Sequence, residues 1–534
     1  MARRTGVTVS NTTLFYLSMA LCIPLLGGVV WGWRRWWRDD AATVQQRFLK
    51  NSSIPIIANL FGKVLDLGFA AVTLRALGPS ASGAWSFVAL ITSMYLVTIV
   101  NWGLNDLAVR EAAARPGSAP HVFGVGVTMR WLMALIVVPL TLFGLWLLRD
   151  QMPPLSWGTQ VALALLLVHL WPAGTAAAVS ASFQAAQRME VPALVVMITS
   201  LLRTMSGIAL VLWLPTSDAR IIAMGSVALG ATVLNAVLLW WFQRRLLFRA
   251  GPLWDWSVMR RLWVDAVPLL LNSLLMTVFF RFDAIILRAV AGDTVLGLYD
   301  AAYKVVSLTQ IIPPYVVGAL FPLLAQRAVH DRATLNPLLS RAIGVLQVVA
   351  WMGVVIVTVM ADDMIWLLGG SAYLPEAATA LRVLIWYLPL SYTTGVVQYA
   401  LIAIARQKAI TWAFLVGTVI NVGGNLLLIP LYGAIAAAVM TTLTEVALLA
   451  ALWPTLRREG IDVPVRRLLV TGGIAVTAVG LAWASAAVGV PKIPALMLVL
   501  SGMMMLCWRL GYIDRAITDT MSRIATRISL RIRK

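Results

Sequence analysis

The residues of this chain that could do chemistry are charged and amide side chains standing inside long apolar runs. Lys63, Arg203, Arg281, Lys304 and Arg382 are the cations, Asp66, Asp283, Asp300 and Glu445 the carboxylates, and Asn421 and Asn425 the amides. A charge at the centre of a spanning helix costs about 2.5–3.5 kcal/mol on insertion scales, so such residues face a partner or a cavity. Guanidinium and ammonium groups supply charge and donors for phosphate oxygens, arginine often bidentately. The cations are therefore the candidate substrate-binding residues. The carboxylates are candidates either for coupling to an H+ or Na+ gradient or for ion pairs that fix helix packing, and spacing does not choose between these roles. Lys63 and Asp66, three apart, share a helix face and can pair; Asp300 and Lys304, four apart, share another. Arg281 and Asp283, two apart, point away from each other. Arg130 sits near the end of its run, where it can snorkel. Asn421 and Asn425, four apart, suit hydrogen bonds across helices first and contact with sugar hydroxyls second.

Nothing points to catalysis. His121, His169 and His330 lie far apart, and there is no Walker, GxSxG or HExxH arrangement. Cys22 and Cys507 each lie in an apolar run, so neither a disulfide framework nor a zinc site is indicated. No catalytic residue, metal or cofactor is expected, and ATP-driven export within this chain is disfavoured.

The elements that must position these residues follow from composition. The 534 residues are 60% hydrophobic and 12% charged, with a mean hydropathy of +0.86. Soluble domains average roughly 45–50% apolar and about 25% charged, and a helical span needs about 20 mostly apolar residues. The chain reads as an all-α polytopic membrane protein with about fourteen core spans. They are expected near 52–74, 83–104, 122–148, 158–180, 191–214, 220–242, 263–290, 296–322, 342–368, 377–404, 409–430, 431–454, 468–489 and 493–511. Residues 1–44 form an extension whose apolar run 11–33 is an expected extra anchor.

The net charge is +20 with a pI near 10.8. In a soluble chain this would suggest nucleic acid, but here the basic residues crowd into alternate short loops, among them Arg110, Arg188, Arg244, Arg327, Arg406 and Arg457. That is the positive-inside pattern, which puts both ends of the core in the cytoplasm and makes nucleic acid an unexpected partner. The tail 512–534 carries Ile513, Ile517, Met521, Ile524 and Ile528 at helical spacing with arginines on the other faces. It reads as a basic amphipathic helix for anionic lipid.

The chain also repeats itself. Gly78, Gly83 and Trp85 match Gly292, Gly297 and Tyr299, each pair 214 residues apart, and Arg75 matches Arg288 with a one-residue slip. Carried forward, this gives two six-helix lobes, 45–243 and 244–456, followed by two further helices in 457–511. Repeat-built transporters place the substrate path at the interface of the repeats. On that expectation Lys63, Arg281 and Lys304 line a cleft between the lobes.

The motifs in question are RALGPSASGAWSF (75–87), GLNDLAVREAA (103–113), RFDAIILRAVAGDTVLGLYDAAYK (281–304), LLGGSAYLPEAATALRVL (367–384) and the long block 400–445. In order and spacing they resemble the polysaccharide transporter branch of the multidrug/oligosaccharidyl-lipid/polysaccharide exporter superfamily, over roughly residues 45–510. The resemblance implies an alternating-access flippase of the cytoplasmic (inner) membrane. Its cargo would be polyprenyl-linked oligosaccharide for O-antigen or exopolysaccharide synthesis, with a polymerase or glycosyltransferases as partners. By analogy with lipid II flippases, the last two helices would form a groove for the polyprenyl tail. Within the superfamily a peptidoglycan precursor flippase shares a basic cleft, whereas a drug extruder would be expected to favour organic cations. A membrane glycosyltransferase or polymerase would need a large outer loop with paired carboxylates, and Asp362-Asp363 is the only acidic pair expected on that side.

Overall fold

The computed structural model describes residues 44–330 and 332–512. The expected anchor 11–33 and the basic tail from Ile513 onward lie outside the described residues. Among the described residues all regular structure is helical, and ten helices are long and apolar enough to cross a membrane. The chain is an all-α, multi-pass membrane protein.

The contacts of the described residues divide them into two units, residues up to 301 with 367–373, and residues 302–366 with those from 374 onward. The first unit opens with α1, Val44–Leu90, which is broken at Gly78. At 1.5 Å per residue its 47 residues would run about 70 Å, twice a hydrocarbon core. The break makes two passes of it. Gly78 adopts φ 72°, ψ 175°, which a side chain would resist, and Pro79 then starts the next helix with its φ already suitable. A π-turn (Ile91–Leu96) leads into α2 (Val97–Asn101). The helix is then interrupted by two left-handed residues, Trp102 and Gly103, before α3 (Leu104–Ala114).

Next come α4 (Ala119–Leu147), α5 (Trp157–Val168), α6 (Leu170–Ala185), α7 (Glu190–Trp213) and α8 (Ser217–Leu246). Ser156 and Thr216 cap α5 and α8 by accepting the backbone N–H groups of Thr159 and Ala219. α8 packs on α5, α6 and α7, and α7 packs on α1. The long α9, Trp256–Thr309, begins in this unit and is broken at Gly292, φ 83°, ψ 178°. This repeats the Gly78 conformation at the residue 214 positions later. Phe87, Val100, Met133, Leu166, Ala284 and Leu296 belong to one buried core, so both copies of the repeat contribute to it.

The second unit continues from the end of α9 through α10 (Ile312–His330), α11 (Leu335–Gly369), α12 (Glu376–Leu384) and α13 (Leu388–Ala403). It ends with α14 (Gln407–Arg458, broken at Gly433), α15 (Val465–Ala487) and α16 (Lys492–Arg509). α13 packs on α10 and α14, α12 on α14, and α15 on α16.

Candidate functional site

α1 and α7 enclose a pocket of about 500 Å³ within the first unit, lined by Lys63, Asp66, Asn59, Ser200 and Arg203 with apolar neighbours. Helical spacing on α1 puts Lys63 and Asp66 on one face, but Asp66 takes its partner from the other helix. Arg203 Nη2 donates to Asp66 Oδ1 at 2.5 Å. Lys63 has no ion-pair partner among the described residues and shares the pocket with that pair. Both partners stay accessible, Arg203 at 39% and Asp66 at 49%. The arrangement offers two cations against one carboxylate, a set suited to phosphate oxygens.

The other cation expected to bind substrate in this unit, Arg281, is engaged. Arg281 donates to Asp300 at 2.8 Å, and Ser86 donates its hydroxyl to the same carboxylate at 2.7 Å. Asp283 points elsewhere, as a two-residue spacing requires, and accepts from the Tyr299 hydroxyl at 2.5 Å. Close by, Arg288 is buried over the Phe87 ring and donates to Asp293 and to the Pro153 carbonyl. This cluster ties the two repeat copies together.

Arg130 does not snorkel. It is 1% exposed and donates to Asn101 Oδ1, Asn105 Oδ1 and the Gly126 carbonyl. Its acceptors are neutral, and two of them straddle the Trp102–Gly103 break.

In the second unit Lys304 follows Asp300 by one turn of α9, and its carbonyl accepts from Ser307. Arg382 donates to Asp362 at 2.6 Å, and Lys492 to Asp363 at 2.7 Å. Each carboxylate of the Asp362–Asp363 pair is therefore occupied by a cation, which is a poor basis for acid–base work. Asn425 donates to Asn421 one turn earlier, and Asn421 donates to Thr444 across the break in α14. Glu445, 3% exposed, accepts from the Thr394 hydroxyl. α15 and α16 flank an apolar groove of about 730 Å³, lined by Ile474, Leu481, Leu498, Met503 and Leu506 among others.

The profile of the polysaccharide biosynthesis protein family matches residues 48–328, more than half of the chain. The chain belongs to that family. No curated protein matches it by sequence. Among solved structures, this family member is similar to "Lipid II flippase MurJ, inward closed conformation", at 13% identity over 85% of this chain and 98% of that one, TM-score 0.67. It is also similar to an inward-facing multidrug resistance MATE family transporter of the MOP superfamily, at 14% identity over 76% and 97%, TM-score 0.62. A MOP superfamily transporter from Pyrococcus furiosus matches at 16% identity over 77% and 95%, TM-score 0.53. At these identities the likeness is one of fold. Those neighbours are themselves described as a flippase and as transporters.

The sequence names every charge in the pocket but not their pairing, because Asp66 and Arg203 are 137 residues apart. It misses Ser86, whose signal was available, since Ser86 and Asp300 stand at the repeat offset of 214. It also misses Asn101 and Asn105, which are spaced like a helical pair around a glycine.

Proposed function

We propose that this family member is a flippase for lipid-linked oligosaccharide, moving a sugar headgroup on polyprenyl phosphate or pyrophosphate across the cytoplasmic membrane by alternating access. The observation that carries this reading is the pocket between α1 and α7, where Lys63 and Arg203 oppose one carboxylate. Its lining runs from Pro55 to Asp66 and from Met189 to Arg203. At 1.5 Å per residue that is about 16–21 Å, over half of a ~30 Å hydrocarbon core. The basic loops assign the Pro55 and Met189 end to the cytoplasm. An anionic headgroup would enter there and meet its cations deep in the membrane. Taken by itself, the apolar groove of α15 and α16 has the lining chemistry to bury the methylenes of a polyprenyl tail. Glu445 and Asp283, which accept from hydroxyls and form no ion pair among the described residues, are the acids for coupling to an H+ or Na+ gradient. This function implies anionic lipid at the basic tail, and a polysaccharide polymerase or glycosyltransferases, as partners.

A peptidoglycan precursor flippase would use the same pocket chemistry, whereas an exporter of organic cations would meet two like charges. The test is reconstitution in proteoliposomes with a fluorescent polyprenyl-pyrophosphate oligosaccharide, lipid II and an organic cation in parallel, reading transbilayer movement. Movement of the oligosaccharide lipid, reduced about tenfold or more by Lys63→Ala or Arg203→Ala, is expected. Undiminished movement in both variants, or transport of the organic cation alone, would sink the assignment.

A further inference from the structure

Arg203 is bound less completely than its chemistry allows. A guanidinium presents its donors as a fork that a carboxylate can meet with two parallel bonds. Here Asp66 takes one donor, Nη2, and the buried Nε of Arg203 has no hydrogen-bond partner. Lys63, three residues before Asp66, lines the same pocket without an ion-pair partner among the described residues. Asp66 keeps half of its side-chain surface accessible, so nothing locks its carboxylate in place.

We propose that Asp66 is the resident counter-anion of this pocket, neutralising Arg203 while the pocket is empty and yielding the guanidinium to the phosphate of an arriving ligand. The inference rests on the reading of the pocket as a headgroup site and adds how that site is regulated. A cation within a membrane segment is stabilised by a counter-charge or by facing a polar cavity. With no ligand, Asp66 is that counter-charge. A pyrophosphate diester has oxygens on two phosphorus atoms, enough to take both edge donors of Arg203 and to reach Lys63. Once it binds, the displaced carboxylate stands beside a like charge and weakens the complex. Asp66 thereby keeps affinity low enough for release and lets the pocket return empty with Arg203 paired. A carrier needs both steps, since tight binding of its ground state lowers KM without speeding turnover.

The test uses the purified full chain in phosphatidylcholine nanodiscs, titrated separately with inorganic pyrophosphate and with a short-chain polyprenyl pyrophosphate. Further discs contain phosphatidylglycerol as a competing phosphate source. Asp66→Asn, which keeps shape and removes charge, is expected to bind the polyprenyl pyrophosphate on the order of tenfold more tightly, about 1.4 kcal/mol. In proteoliposomes its KM and kcat should fall together. Adding Arg203→Gln should erase the gain. Asp66→Ser serves as a second neutral variant if Asp66→Asn is not monodisperse. Unchanged or weaker binding in the neutral variants, beside a wild type that does bind, overturns the counter-anion while leaving the headgroup reading intact. Absence of pyrophosphate binding to wild type and variants alike overturns both. Tightening for inorganic pyrophosphate but not for the lipid supports the counter-anion and removes the lipid headgroup as its ligand. Equal competition by phosphatidylglycerol would assign the pocket to bulk lipid and overturn a counter-anion tuned to a transported ligand.

Discussion

Ser86 donates a 2.7 Å hydrogen bond to Asp300, its own counterpart 214 residues later in the repeat. Gly83 and Gly297, also counterparts, meet backbone to backbone beside them. Equivalent residues touching each other is the signature of a two-fold contact, here between two segments of one chain. The repeat is thus a packing device as well as a duplication, and its glycines are required by distance.

A methyl group at Gly83 would lie 1.8 Å from the Asp293 carbonyl oxygen, and one at Gly297 would lie 1.9 Å from that of Pro79. The neighbours are backbone and cannot swing aside. Gly83→Ala and Gly297→Ala are expected to lower stability by about 3 kcal/mol or more and to cut the yield of folded protein. Gly230→Ala, with no atom within 4 Å, should be neutral or slightly stabilising. Thermal unfolding in detergent compares the three.

Arg281→Ala removes a 2.8 Å ion-pair partner from Asp300, whose side chain is 8% exposed. Breaking a buried pair from one side costs about 3 kcal/mol, so this variant should lose folded protein. Transport per folded molecule should keep an unchanged KM. Arg281→Met combined with Asp300→Leu should recover most of the stability. A stable Arg281→Ala protein with a raised KM would return Arg281 to the substrate site.

Outside the spans, Glu459 accepts hydrogen bonds from Arg332 and Arg406, and the two guanidinium groups hold its carboxyl below the usual glutamate range. Its proton is therefore held more tightly in the unfolded chain. The stabilisation is complete above the ordinary glutamate pKa and is lost as pH falls through the depressed folded value. Wild type should exceed Glu459→Gln in melting temperature at pH 7, and the gap should close on acidification below about pH 4. A gap that persists in acid would show that the contact acts by shape.

Filling the groove should discriminate between tails. Thr477 lines it on α15, and Thr477→Trp is expected to slow transport of long-chain polyprenyl substrates several-fold while sparing short-chain analogues. Equal rates for both lengths in the filled protein would remove the tail from this groove. The measurement is initial flipping rate against prenyl length.

The breaks were legible where the backbone needed glycine. Gly78 and Gly292 share one conformation because an extended ψ at positive φ excludes side chains, and that requirement leaves a trace in sequence. Ion pairs leave no such trace. Lys63 sits three residues before Asp66, yet Asp66 chose Arg203 on another helix, because a pairing is set by which faces meet. Arg130 looked like a residue near water, and its amide acceptors became visible only once α2 and α3 were packed against α4.

The left-handed pair Trp102 and Gly103 gives the second pass an elbow, and the donors of Arg130 reach Asn101 on one side of it and Asn105 on the other. To straighten or swing there, the chain would have to strand a guanidinium that is shut away from water. The elbow therefore behaves as a welded joint. Held from both sides by one buried side chain, this corner resists bending more than a break with no such tie.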